Sequence, residues 1–294
     1  MRILATIPHF YDPKGDTNAR HGSLKKDSQS RVLALNHCLE SLHQLFGRAQ
    51  YGFSYAQGMV LEANCAQQNQ LDIVVCTTRG HHILDRLSTL PHFYKHHDTN
   101  ADPPLLGFEC QSVLAESIGL YDYYCFLEDD LILQDPWFFA KLSWFTQTIG
   151  NSSLLQPNRY ELSNASPVRK IYIDGDLKPH LIPAVYGDRE YAKFTAQVMG
   201  KSICLQPALN PHSGCYFLNS NQMTTWMRQP HFLDRDISFI GPLESAATLG
   251  VMKTFKIYKP SLEDANFLEI QHFGNVMSQY LLEAIATQQP HQTP

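Results

Sequence analysis

Basic residues are in short supply: 23 Lys and Arg stand against 28 Asp and Glu, a formal net charge of -5. Proteins that grip nucleic acid neutralise its phosphates with a cationic excess, so this balance argues against such a partner. Long apolar runs are missing as well. No stretch reaches the roughly 20 apolar residues of a bilayer-spanning helix, so no transmembrane segment is expected. The opening MRILATIPHF is too short in its apolar run, and lacks the small-residue cleavage site, for a secretory leader. It reads instead as a core strand. The seven cysteines are an odd number, contain no CxxC pair and sit mostly among apolar neighbours. That pattern disfavours a disulfide frame or zinc site and predicts buried free thiols in a reducing, cytoplasmic compartment.

What is present supports a sizeable core. Of 294 residues, 44% are hydrophobic and 17% charged, enough for one large α/β domain or two fused halves. The 14 histidines leave metal chemistry open. Arg2 to Ile7 is a first strand. Val32, Leu35, Leu39, Leu42 and Phe46 then recur at helical steps, with Asp27 or Ser28 as cap and Gly47 as stop. Leu71 to Thr77 is a continuous apolar run suited to a strand buried on both faces. Further helices are expected from about Ile83, over Phe108 to Gly119, and from Pro136 at the first helical position to about Ile149. Tyr123 to Leu127 (YYCFL) is another buried strand. In the second half, strands are expected at Leu154–Gln156, Lys170–Ile173, Cys215–Leu218 and Thr254–Tyr258, and helices at Asn221–Arg228 and Leu243–Leu249. Tyr160 to Gly200, broken by Pro and Gly, reads as an acceptor-side insertion or lid. Alternation of strand and helix predicts an α/β sandwich with a mostly parallel central sheet. The expected organisation is one domain over 1–286, with a nucleotide-binding half at 1–133, an acceptor-side half at 134–286 and a disordered tail at 287–294.

Three consecutive acids, Glu128, Asp129 and Asp130, follow the YYCFL strand. Ligands of open α/β sheets bind outside the carboxyl ends of strands, so these acids would face a crevice. Adjacent carboxylates repel one another and lose solvation beside a buried strand. A divalent cation relieves both costs, and Mn²⁺ or Mg²⁺ takes one or two carboxylates with phosphate oxygens and water. A solvated acidic turn would have the same sequence.

With these residues the chain resembles GT-A-fold glycosyltransferases, whose DxD motif ends a core strand. The resemblance implies a Rossmann-like α/β/α sandwich and transfer of a sugar from a nucleotide-diphosphate donor (UDP, GDP or dTDP type) to an acceptor hydroxyl. It further implies that Asp130 is the direct metal ligand, while Asp129 and Glu128 hold the ribose or the metal's water shell. Glu-Asp-Asp offers more than one pair, so the division of labour stays open. The donor's base and ribose would meet Phe10, Tyr11 and Arg20 after the first strand, with Arg79 and Asp85 closing the pocket.

His212, Ser213 and Gly214 form a small-residue turn before a strand, where a backbone can approach a ligand closely. By the same resemblance that turn contacts the donor sugar. Glu244 falls in the first turn of a short helix, where the dipole favours negative charge. In inverting members of the family an acid there removes the acceptor proton, which makes Glu244 the first choice for general base and Asp236 the second. His272, near the C-terminus, matches the histidine that completes the metal shell in several such enzymes. Two other readings share the fold: a sugar nucleotidyltransferase, which would carry a Gly-rich phosphate loop after strand one, and a non-catalytic carbohydrate-binding protein. A metal-dependent hydrolase would need tighter His/Asp spacings than His81-His82 or His96-His97 provide.

Overall fold

The computed structural model describes residues 1–14, 22–24, 28–66, 69–163, 168–181, 192–275 and 277–279. Along the chain, β1 (Arg2–Pro8) leads through α1 (Gln29–Phe46) to a hairpin of β2 (Tyr51–Ser54) and β3 (Met59–Glu62). There follow β4 (Gln70–Thr78), β5 (Lys95–Thr99), α2 (Leu106–Glu116), β6 (Tyr123–Leu127), β7 (Leu131–Ile132) and α3 (Phe138–Ile149). The second half runs β8 (Ser153–Leu155), β9 (Asn158–Leu162), β10 (Lys170–Tyr172), β11 (Phe194–Val198), β12 (Lys201–Pro207) and β13 (Cys215–Asn219). It continues with α4 (Ser220–Met227), a helical stretch α5 over 242–254 containing a π-turn at Ser245–Leu249, β14 (Lys256–Pro260) and β15 (Glu269–His272).

The central sheet has the order β13-β6-β1-β4-β5. Its strands β6, β1, β4 and β5 are parallel and β13 is antiparallel to β6. This is the α/β fold with a mostly parallel sheet that strand–helix alternation predicts. Period-two alternation sorts side chains to its two faces. Ile3, Ala5, Ile7, Cys125 and Leu127 pack with α1 and α3 on one face. Leu4, Tyr124, Phe126, Tyr216 and Leu218 pack with α2 and α5 on the other. The sandwich is therefore helix, sheet, helix. Two smaller sheets, β10-β9-β15-β7 and β11-β12-β14-β8, extend from it.

Several local expectations change. No helix starts at Ile83; only the turn Leu84–Arg86 forms, because the Asn36 side chain takes the backbone N–H groups of Ser88 and Thr89 at 3.1 and 3.0 Å. Pro136 lies before α3, which has no side-chain capping bond; the Asp135 carboxylate instead accepts the Trp137 N–H at 2.8 Å in the turn that leads into the helix. Ser28 precedes α1 without a capping bond, its hydroxyl accepting from Arg86; Asp27 lies outside the described residues. Strand β5 (KHHDT) was invisible to an apolar-run reading, since it is a polar edge strand, the kind that resists edge-to-edge pairing. All seven cysteines are free thiols, but Cys65 is exposed, not buried as its neighbours suggested. Among the described residues no helix is long and apolar enough to cross a membrane. The tail at 287–294 lies outside those residues.

Candidate active site

Strand β6 is buried along its whole length, and at its carboxyl end the chain turns so that the Leu131 N–H reaches the Glu128 carbonyl at 3.2 Å. The three acids occupy this turn, which carries the chain from the central sheet into β7 of a neighbouring sheet. Glu128 and Asp129 are buried and Asp130 is partly so. A solvated acidic turn is thereby excluded. Successive side chains diverge, and each acid has a different set of partners.

Asp129 is the anchored one. Its Oδ2 lies 2.6 Å from Nδ1 of His9, the residue after β1. Its Oδ1 accepts from Arg31 in the first turn of α1. Burial alone would raise this carboxyl, but Arg31 and His9 outweigh burial and hold it near 2. Burial keeps His9 below its usual value against the pull of Asp129. The neutral ring therefore donates from Nδ1 to Asp129 and accepts the Ile83 N–H at Nε2 (3.4 Å). Arg31 also reaches Asp130 Oδ2 at 3.3 Å. Although burial opposes its charge, the two aspartates hold the guanidinium more firmly protonated than usual.

Asp130 keeps spare capacity. Its Oδ1 is buried with no hydrogen-bond partner, as is Nε of Arg31. His272, paired in β15 opposite Leu131, sets Nε2 3.7 Å from Asp130 Oδ2. Its Nδ1 is 3.0 Å from Glu161 Oε1, and Glu161 in turn accepts the Ser278 N–H at 2.6 Å. Burial disfavours protonation of His272, yet Asp130 and Glu161 together raise its affinity for a proton. An imidazole steadied by a carboxylate at one nitrogen, with the other aimed at an aspartate, is the donor arrangement of a metal-ligating histidine. Among the described residues no group of three or more His, Cys, Asp or Glu could hold a metal ion alone. Asp130 and His272 are the two metal-type donors that the structure brings together at this turn.

Glu128 faces a third environment. Arg159 approaches its Oε2 at 3.7 Å and His212 Nε2 its Oε1 at 3.8 Å. Burial is the main influence and lifts this carboxyl to about 8; Arg159 pulls it down, while Asp130 and Glu244 push it further up. Behind it, buried Asp174 accepts from Arg159 Nε at 2.9 Å and from Lys259 at 2.8 Å. Burial and the nearby Arg159 hold His212 neutral, and its Nδ1 lies 2.8 Å from the Thr248 hydroxyl.

The turn at 212–214 sits against this acid because β13 pairs with β6, Cys215 opposite Leu127. The Gly214 carbonyl accepts the Glu128 N–H at 2.9 Å. Gly214 has φ +64, and a Cβ there would lie 2.6 Å from Glu128 Oε2. Only glycine fits. Ser213 is buried and donates its hydroxyl to the Pro157 carbonyl at 2.8 Å, so it braces the turn. Glu244 stands in the first turn of α5, partly exposed, near enough for its charge to raise Glu128.

Asp236 lies apart from this group. It accepts from the Ser238 N–H and from Lys253, each at 2.9 Å, and its carboxyl is drawn down to about 2, first by Ser238 and then by Lys253. Arg79 is exposed and paired with Asp102 at 2.6 Å. Phe10 packs its ring 5.4 Å from His81. Tyr11 and Asp85 line a cleft of about 510 Å³ with Pro13, Ser28, His82, Ile83 and Arg86; its wall residue Ile83 is the one bonded to His9. Arg20 lies outside the described residues.

Sequence reading missed His9, Arg31, Arg159, Glu161, Asp174 and Lys259. One usable signal was Arg31, a cation in a helix's first turn, where the dipole disfavours it. Another was Lys259, enclosed in the otherwise apolar end of β14.

By sequence, no family model and no curated protein matches the chain. Among solved structures, S. aureus TarS is similar at 11% identity and TM-score 0.44, covering 98% of this chain and 39% of that one. Residues 1–349 of TarS in complex with UDP-GlcNAc give 12% identity and TM-score 0.41 over 95% of this chain and 61% of that one. Mouse xyloside xylosyltransferase 1 gives 10% and 0.40 over 87% and 85%. The chain spans about two fifths of TarS.

Proposed function

We propose that this chain transfers a glycosyl group from a nucleotide-diphosphate sugar to an acceptor hydroxyl, with Mn²⁺ or Mg²⁺ and inversion at the anomeric carbon. The observation that carries the reading is the buried carboxylate turn after β6. There an aspartate oxygen without a partner, a braced imidazole and two partly buried guanidinium groups converge beside a glycine that admits close approach.

Asp130 and His272 would hold the divalent ion, which supplies Lewis-acid stabilisation to the departing diphosphate when bound. Arg31 would meet the same negative charge, since it is permanently protonated and retains an unused Nε donor. The cleft between Tyr11 and Asp85 would take the nucleoside, and the backbone at Gly214 the donor sugar. Asp129, with both oxygens engaged, would act by positioning Arg31 and His9. Glu244 would accept the acceptor hydroxyl's proton as that oxygen attacks the anomeric carbon and the bond to the diphosphate breaks.

The test is thermal stability of the protein with UDP-, GDP- and dTDP-sugars, each with and without Mn²⁺. At a donor concentration of 100 times Kd the folded state gains about 2.7 kcal/mol. A shift with one nucleotide that needs Mn²⁺, and is lost in Asp130→Ala, is the expected result. No shift with any donor would remove the reading.

A further inference from the structure

A cleft of about 370 Å³ opens at the amino end of β6, between the last turn of α3 and the start of α4. Tyr123, the first residue of β6, is its most buried lining residue and stands opposite Asn219 in the register of β6 with β13. The acid turn lies at the other end of the same strand, about 16 Å away at the rise of a β-strand. This cleft and the candidate active site are therefore separate.

Among the described residues, no charged side chain lines the cleft. Ser143, Thr146, Gln147, Asn151, Asn219 and Asn221 supply the wall beside Tyr123, and each carries a group that both donates and accepts hydrogen bonds. Burial pushes the Tyr123 hydroxyl up to about 12, so it too is neutral near pH 7. A phosphate or carboxylate would find no counter-charge here. An apolar ligand would find a single, largely covered ring.

The amides are oriented before any ligand arrives. A capping box fixes Asn219: its Oδ1 accepts the Gln222 N–H at 2.9 Å, so Nδ2 is the end that donates to Asn151 Oδ1, also at 2.9 Å. Asn151 must then turn its amino group away from Asn219, and that group has no partner among the described residues. Gln147 is held in the opposite sense. Its Nε2 donates to the Ser143 hydroxyl at 3.1 Å, and Ser143 hydrogen-bonds Tyr123. Gln147 Oε1 is left as an acceptor. One fixed donor and one fixed acceptor thus line the same opening. Hydroxyls on neighbouring carbons of a sugar ring each donate and accept, so a pair of them can engage an amide N–H and an amide carbonyl together. A peptide segment or a nucleobase carries fewer such groups on a broader apolar body, which needs more apolar wall than Tyr123 offers.

We infer that this cleft binds an uncharged sugar unit of a glycan, at a site distinct from the one where transfer is proposed.

The test uses the full chain on a microarray of neutral and acidic oligosaccharides, followed by calorimetric titration with the strongest neutral hit. Asn151→Asp keeps the oxygen that accepts from Asn219 and deletes the amino donors; Gln147→Met deletes the acceptor. Each should weaken neutral-glycan binding about tenfold, the worth of one well-placed hydrogen bond, while keeping the circular dichroism and thermal midpoint of wild type. Asp130→Ala should bind the same glycan as wild type does. Retention of no neutral oligosaccharide, or of acidic ones alone, overturns the inference. So does an affinity that neither cleft substitution changes. A folded Asp130→Ala protein that no longer binds would also overturn it, by placing the glycan in the candidate active site.

Discussion

Replacing Glu128 by glutamine keeps the side chain's shape and removes its proton equilibrium. Burial, with help from Asp130 and Glu244, holds this carboxyl at about 8, against an ordinary 4.5. Below pH 4.5 both folded and unfolded chains carry the proton and the residue is neutral in each. Between 4.5 and 8 the folded chain keeps a proton that the unfolded chain releases, so stability falls as pH rises. Above 8 the folded chain bears a buried charge at full cost. At about 1.36 kcal/mol per pH unit, the gap caps that cost at roughly 5 kcal/mol. Glu128→Gln should therefore gain on wild type steadily from pH 5 to pH 9 in urea denaturation, levelling off above pH 8. Glu244→Gln should end the fall at a lower pH than in wild type and so reduce its total size, because its charge is one of those pushing Glu128 up. A stability difference between Glu128→Gln and wild type that stays flat over pH 5–9 would refute the assignment.

Three further outcomes follow from the same geometry. Glu244→Gln should lower kcat about 10²–10⁴-fold, the usual contribution of a general base, and leave donor-dependent thermal shifts within a factor of about three in apparent Kd. Gly214→Ala should destabilise by about 2–4 kcal/mol, measured by urea titration. It adds the cost of a left-handed φ on a residue with a Cβ to a 2.6 Å clash with Glu128 Oε2. Asp174→Asn should cost about 3–5 kcal/mol at pH 7 by leaving Arg159 and Lys259 as buried cations without their carboxylate. Burial resists ionisation of Asp174, but the two cations hold it below the usual carboxylate range. Its contribution is therefore present at neutral pH and lost only as pH falls below 3.8 toward the folded value. The variant's penalty should shrink in strongly acidic buffer, and a penalty unchanged at pH 2.5 would contradict the pairing.

Much of the fold was legible because its signals are local. An apolar run bounded by acids marks β6 to the residue, and α1 is a helix because five apolar side chains recur at its face. The β2–β3 hairpin was not legible. Its apolar residues face solvent on both sides, so they carry no burial periodicity. The turn at Ile83 was misread for a related reason: the bond that ends it comes from Asn36, far along the chain.

The candidate site divides along the same line. The acids could be found from sequence because their position depends on one strand end. Their charge states could not, because each is set by partners at long separation. Asp129 is held by residues 98 and 120 positions away, and Glu161 touches His272 across 111. Three adjacent carboxylates with one sequence context thus acquire three different tasks. One is clamped ionised, one is left with an unpaired oxygen, and one is kept protonated near neutrality. A shared metal among all three would require Asp129 to give up Arg31 and His9 and Glu128 to lose its proton. Of the three, Asp130 has a carboxylate oxygen that can take a ligand without breaking an existing hydrogen bond, and that is why the proposed metal site is centred on it.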